Sequence, residues 1–177
     1  GIACSRGRWS MESETGWFAG GDSVRARFRD GALVVLADSL VMGDTLGLAY
    51  GEVVLRDTAT TYRLVADTVR FNRADADGDI GSDVALQGKS VAWLYDGEDP
   101  LRVAAPEMDI ADGPDGRSLA ARSGTFLHFG EVTAAADGLT WSEDAGRINL
   151  EGAPVMWNGS DQLLSLIHIS EPTRPVP

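Results

Sequence analysis

The chain has 177 residues, with 27 Asp and Glu against 15 Lys and Arg, for a net charge of -12. Such a balance repels phosphate backbones instead of releasing their counterions, so nucleic acid is not an expected partner. The length suits one domain with its own core, and the single cysteine rules out a disulfide framework or a paired-Cys metal site.

The chain opens Gly1-Ile2-Ala3-Cys4-Ser5. A small residue ahead of a cysteine is how a bacterial lipoprotein signal ends, so Cys4 is carried as a candidate lipidation site, beside the plainer reading of an exposed thiol near a frayed end. Residues 1–21 are set apart as an N-terminal segment. The stretch around Gly20 and Gly21 lacks a phosphate-binding pattern. No run approaches the roughly 20 apolar residues of a membrane-spanning helix. Short segments rich in Val, Leu, Trp and Phe instead alternate with Gly, Asp and Asn turns, and no long 3.6-residue period occurs, which predicts an all-β fold.

From Ala37 onward a unit repeats. ADSLVM (37–42), ADTVRF (66–71), APEMDI (105–110) and ADGLTW (136–141) each carry Ala, an apolar residue three positions later and another two beyond that. Side chains alternate with period two along a straight strand, so an offset of three then two requires a bend or bulge just after each Ala. Asp38, Asp67, Pro106 and Asp137 sit there, and Asp and Pro are tolerated at bulges. After each unit a glycine opens a second alternation: Gly51 before Val53 and Leu55, Gly81 before Val84 and Leu86, Gly124 before Phe126, and Gly152 before Val155 and Trp157. Strand-turn-strand units with recurrent bends curl an antiparallel sheet over on itself, giving a jelly roll or a folded-over barrel with one apolar interior.

Among the turns, Asp75-Ala-Asp77-Gly-Asp79 opens like a calcium loop, but the sixth and twelfth positions hold Ile80 and Leu86 instead of Gly and a bidentate acid, so it reads as a turn. ADGPDG (111–116) reads as another turn. His128 has no Ser or Cys partner in any catalytic spacing and reads as a packed or surface residue. Paired carboxylates are too common here to discriminate, and Asn158-Gly159-Ser160 is a chance glycosylation sequon. Neither an enzyme activity nor a cofactor is expected, and no metal site.

AYGEVVLRD (49–57), RLVADTVRFN (63–72) and INLEGAPVMWNGSDQL (148–163) together resemble the OstA-like periplasmic family of lipopolysaccharide transport, which includes LptA, LptC and the N-terminal domain of LptD. The similarity covers residues 22–163. It implies a folded-over antiparallel β-jelly roll in the periplasm of a Gram-negative bacterium, shielding acyl chains of lipopolysaccharide in its interior. Similar domains would pair with it edge to edge, bridging the inner and outer membranes, and it would meet a membrane only through those partners or a lipid anchor. The interior residues implied are Val53, Leu55, Val69, Phe71, Val84, Leu86, Met108, Ile110, Phe126, Leu139, Trp141, Ile148, Leu150, Val155 and Trp157. Two departures are the long insert between Gly88 and Leu101 and the Pro in the third repeat. From the residues alone, such an interior is equally that of a structural β-repeat of the cell envelope with a closed core. An outward aromatic platform at Trp93 would point to carbohydrate binding instead. The ending LSLIHISEPTR (164–174) matches the in-frame translation of a transposon-end sequencing adapter, so residues 164–177 are set apart as non-native.

Overall fold

The computed structural model describes residues 1–21, 25–57, 62–72, 83–94, 100–113, 116–159 and 161–164, with no side-chain description for Asp30 or 161–164. The seventeen strands among them are β1 (Ile2–Ala3), β2 (Arg6–Ser10), β3 (Thr15–Ala19), β4 (Ala26–Asp30), β5 (Leu33–Ala37), β6 (Ser39–Met42), β7 (Leu46–Asp57), β8 (Tyr62–Asn72), β9 (Asp83–Leu94), β10 (Leu101–Gly113), β11 (Gly116–Arg122), β12 (Thr125–Phe129), β13 (Val132–Ala136), β14 (Gly138–Ser142), β15 (Arg147–Glu151), β16 (Val155–Asn158) and β17 (Asp161–Leu164). All belong to one antiparallel sheet.

The pairing has a simple logic. β7, β8, β9 and β10 each run through a bend, and β5 with β6, β11 with β12, and β13 with β14 are strands broken at the same level. One line of bends thus divides the meander into two leaves. The first leaf holds β2, β3, β6, β11, β14 and β15 with residues 46–50, 68–72, 83–87 and 107–113. The second holds β1, β4, β5, β12, β13, β16 and β17 with residues 53–57, 62–65, 90–94 and 101–105. Folded at the crease, the leaves pack face to face: Phe28 of the second meets Phe71 of the first at a ring-centroid distance of 5.9 Å. The fold is the expected all-β folded-over jelly roll.

The repeated Ala-Asp pair, Ala-Pro in the third unit, marks the crease. Register shifts or strand breaks fall at Asp38, between Val65 and Thr68, between Ala105 and Glu107, and at Asp137, the four places where the spacing demanded a bend. On the inner side, paired positions along the crease are small: Ala26 with Ala37, Val53 with Ala66, Ser90 with Ala105, Thr125 with Ala136. Here the leaves converge and larger side chains would hold them apart. On the outer side, Asp38, Asp67 and Asp137 lie across Gly51, Gly88 and Gly152, where a Cβ would come within 2.2, 2.3 and 2.1 Å of the carboxylate. These three glycines have φ of +78°, +94° and +88°. Only glycine accepts both the φ and the approach. Asp67 Oδ2 also accepts the Lys89 N–H at 3.1 Å, and the Asp38 and Asp137 amides donate across the crease to Tyr50 O and Glu151 O, both at 3.0 Å.

Three readings of the sequence need revision here. The glycine facing the second Ala-Asp unit is Gly88, inside β9, and not Gly81, which lies outside the described residues. The first half of the supposed insert after Gly88, residues 89–94, is the second-leaf half of β9, and 95–99 lie outside the described residues. The first 21 residues are not separate from the sheet, since β1 pairs with β4 and β3 with β6. Leu164 pairs with Val155 in β17; 165–177 lie outside the described residues, as do Asp75, Asp77 and Asp79.

Candidate functional site

Between the leaves the inner faces form a continuous apolar layer. Of the residues expected there, Val53, Leu55, Val69, Phe71, Val84, Leu86, Met108, Ile110 and Leu139 are fully buried in one cluster, with Trp141 and Leu150 half-buried against it. Alternation explains the rest of the layer, which the resemblance did not supply: Val35, Leu40, Leu64, Val103, Leu119 and Leu127 are equally buried. LVVLA (33–37) and the run before Ala66 carry that signal in plain period two.

Three residues face the other way. Phe126 is 49% exposed while its neighbours Thr125 and Leu127 are buried. Val155 and Trp157 flank Met156, which packs on the core opposite the buried Ala134. Phe126, Val155 and Trp157 are therefore outer-face residues, a correction with a common cause. Ser123 and Gly124 both have positive φ, +67° and +91°, and Gly152-Ala153-Pro154 takes three residues to turn the crease. Each shifts the count by one, and a shift of one exchanges the two faces.

The layer is not equally covered along its length. One inner row runs Trp9, Gly16, Met42, Gly47, Phe71, Val84, Ile110, Leu119, Trp141 and Ile148 from strand to strand. Its middle is sealed, with Met42, Phe71, Val84, Ile110 and Leu119 at 0–2% exposure. Its ends are open: Trp9 is 51% and Ile148 37% exposed. Gly47 keeps the row continuous, because a Cβ there would fall 2.3 Å from the Phe71 ring.

Opposite the crease, the leaves are joined by polar groups. Arg117, on the first leaf, makes a 2.7 Å ion pair with Asp112 and lays its guanidinium 4.6 Å over the ring of Tyr62, on the second. Burial, then the nearby charges of Asp57 and Asp112, push the Tyr62 hydroxyl well above its usual range, with Arg117 opposing. Ser90 Oγ and Thr125 Oγ1, at the inner crease, have no hydrogen-bond partner among the described residues.

Cys4 is exposed and free. His128 is exposed on β12 with Nδ1 3.3 Å from Thr133 Oγ1. No group of three metal-ligating side chains occurs among the described residues. Two depressions, of about 500 and 460 Å³, open outward from the first leaf, one lined by Asp109, Ala120, Thr140 and Asn149, the other beside Asp137 and Gly152.

Among solved structures, the crystal structure of LptH from Pseudomonas aeruginosa, the LptA-homologous periplasmic component of the conserved lipopolysaccharide transport device, matches 93% of this chain and 94% of its own, with a TM-score of 0.51 at 9% identity. The chain has that fold. No protein-family profile matches the sequence, and no curated protein matches it.

Proposed function

We propose that the chain is a periplasmic lipopolysaccharide-transport module that shields acyl chains between its two leaves and stacks with similar jelly rolls through its terminal strands, β1 and β2 at one edge and β15 and β17 at the other. The observation that carries this reading is the inner apolar row, exposed at both ends of a sheet with the LptH fold. An apolar row left open at its ends offers acyl chains about 25 cal/mol per Å² of buried surface before ordering costs. Edge strands with unpaired backbone groups supply the docking edges for neighbours.

Acyl chains would enter at Trp141 and Ile148, where the row is already uncovered, with Leu150 beside them, and would advance only as the leaves part. The sealed middle, where Phe28 meets Phe71, favours a second reading, a structural envelope repeat with a closed core. A photo-crosslinking amino acid at Ile148 separates the two. Transport predicts capture of lipopolysaccharide there and none at the turn residue Asp144, with circular dichroism unchanged. No capture from either position in the folded protein would leave the closed-core reading in front.

A further inference from the structure

The outer face of the second leaf carries a charge pattern opposite to that of the chain. Strand registry aligns Leu36, Val54, Val65, Val91, Phe126 and Val155 in one outward row next to the crease. The next row outward contains Arg29, Arg56, Arg63, Trp93, Arg102 and Trp157. No Asp or Glu occupies either row from β4 to β16, in a chain that has 27. The ion pairs among the described residues use Arg25, which turns to Asp38 at the crease, and Arg117 and Arg122 of the first leaf, and none uses an arginine of the outer row.

Among the described residues the row also holds its positive charge without an ion-pair partner. The guanidinium of Arg63 lies 4.8 Å and that of Arg102 5.8 Å from the centre of the same Trp93 ring. Arg63 Nε is buried with no hydrogen-bond partner among the described residues. Two cations gathered on one indole repel each other, and an oxyanion set between them relieves that repulsion.

We infer that this face docks on an anionic lipid surface, with phosphate headgroups on the arginine row and the apolar row and indoles at the acyl boundary. Cations beside Trp residues and an apolar strip are the chemistry of the interfacial zone of a bilayer. A soluble acidic polypeptide would leave the apolar row uncovered. The net charge of -12 does not prevent the approach. Rows two residues apart along a strand are separated by about 7 Å, which puts the crease carboxylates about 13 Å from the arginines. That exceeds the screening length of about 8 Å at physiological salt, so the crease carboxylates oppose the approach only weakly. The inference is independent of what lies between the leaves.

The test is flotation of the full chain with vesicles of equal parts phosphatidylglycerol and phosphatidylcholine, against pure phosphatidylcholine. Binding is expected only to the anionic vesicles, and its loss at about 0.5 M salt. Replacing the exposed pair Arg56→Gln and Arg102→Gln should weaken partitioning roughly tenfold or more, and Arg63→Gln should weaken it further. The charge-matched pair Arg70→Gln and Arg147→Gln, exposed on the first leaf, should change it by less than about twofold. All variants must keep the parent circular dichroism, which the exposed positions of the two pairs permit, and the comparison of the pairs decides the test if Arg63→Gln does not. Equal loss from both pairs, no flotation of the folded parent, or capture by polyglutamate in place of the anionic vesicles would each overturn the inference.

Discussion

At Gly51, Gly88 and Gly152 two demands coincide, a positive φ and an aspartate carboxylate lying where a Cβ would be. Gly124 has only the first, since nothing lies within 4 Å of its would-be Cβ. Its opposite number in the repeat is Pro106, which has neither a carboxylate to lay across a neighbour nor an amide to donate. The comparison is a prediction: Gly124→Ala should cost about 1–2 kcal/mol, the backbone penalty alone, and Gly88→Ala distinctly more, because Asp67 must also leave Lys89 N–H. Urea denaturation of the two variants measures the difference, and equal costs would remove the aspartate from the account. Tyr62 supplies a second prediction, in pH. Its hydroxyl is raised above the ordinary value of 10.0 by burial. The unfolded chain therefore loses that proton first, stability is fully present below about pH 10, and it declines as pH rises beyond that. Tyr62→Phe should keep the Arg117 stacking and shift the alkaline unfolding midpoint upward.

Strands obey period two only between bends, and that decided which parts of the site were legible. Three Ala-Asp pairs and Ala105-Pro106 announced four of the bends, and within unbroken runs such as Val53 with Leu55, or Val69 with Phe71, counting by two found the inner face. After Ser123-Gly124 and Gly152-Ala153-Pro154 the same counting chose Phe126, Val155 and Trp157, because nothing in the residue types reveals how many positions a bend consumes. The consequence is measurable: Leu127→Ala should cost about 2–4 kcal/mol by the loss of a buried side chain, while Phe126→Ser should cost well under about 1 kcal/mol. The reverse ranking would mean the strand sits one residue out of register. β2 was not legible for a different reason. RGRWS lies wholly exposed, so no burial pattern marks it as a strand. The arginine row was illegible too, since Arg56 and Arg102 are distant in sequence and only pairing through β8 and β9 sets them on one row.

Across the whole molecule, the terminal strands finish the layer between the leaves. β3 lays Phe18 beside Leu40 and Gly16 beside Met42, both of the latter fully buried. A chain beginning at Asp22 should therefore lose several degrees in Tm, because it uncovers that end of the inner row, and an unchanged Tm would mean that residues 1–21 do not help to hold the sheet. The leaves are held differently at their two margins. Small side chains close the crease, whereas the opposite margin depends on Arg117, Asp112 and Tyr62. If acyl chains pass between the leaves, this margin must yield. Arg117→Met should then raise lipopolysaccharide crosslinking at Ile148, at a clear loss of stability, because Asp112 keeps its charge without its partner.

Each bent strand pairs with the one before it and the one after it, and none crosses another. Length is thus a free parameter of this architecture, as the number of pages is of a bound book. β8 and β10 run in the same direction through the crease, and Ala66 and Ala105 are the inward residues where each turns it. Excising residues 67–105 would join the first part of β8 to the last part of β10, removing Asp67 together with its own Gly88 and leaving Asp38 over Gly51 and Asp137 over Gly152 untouched. A shorter volume with the same spine should result, whereas removing a single strand would reverse every direction that follows and leave no crease at all.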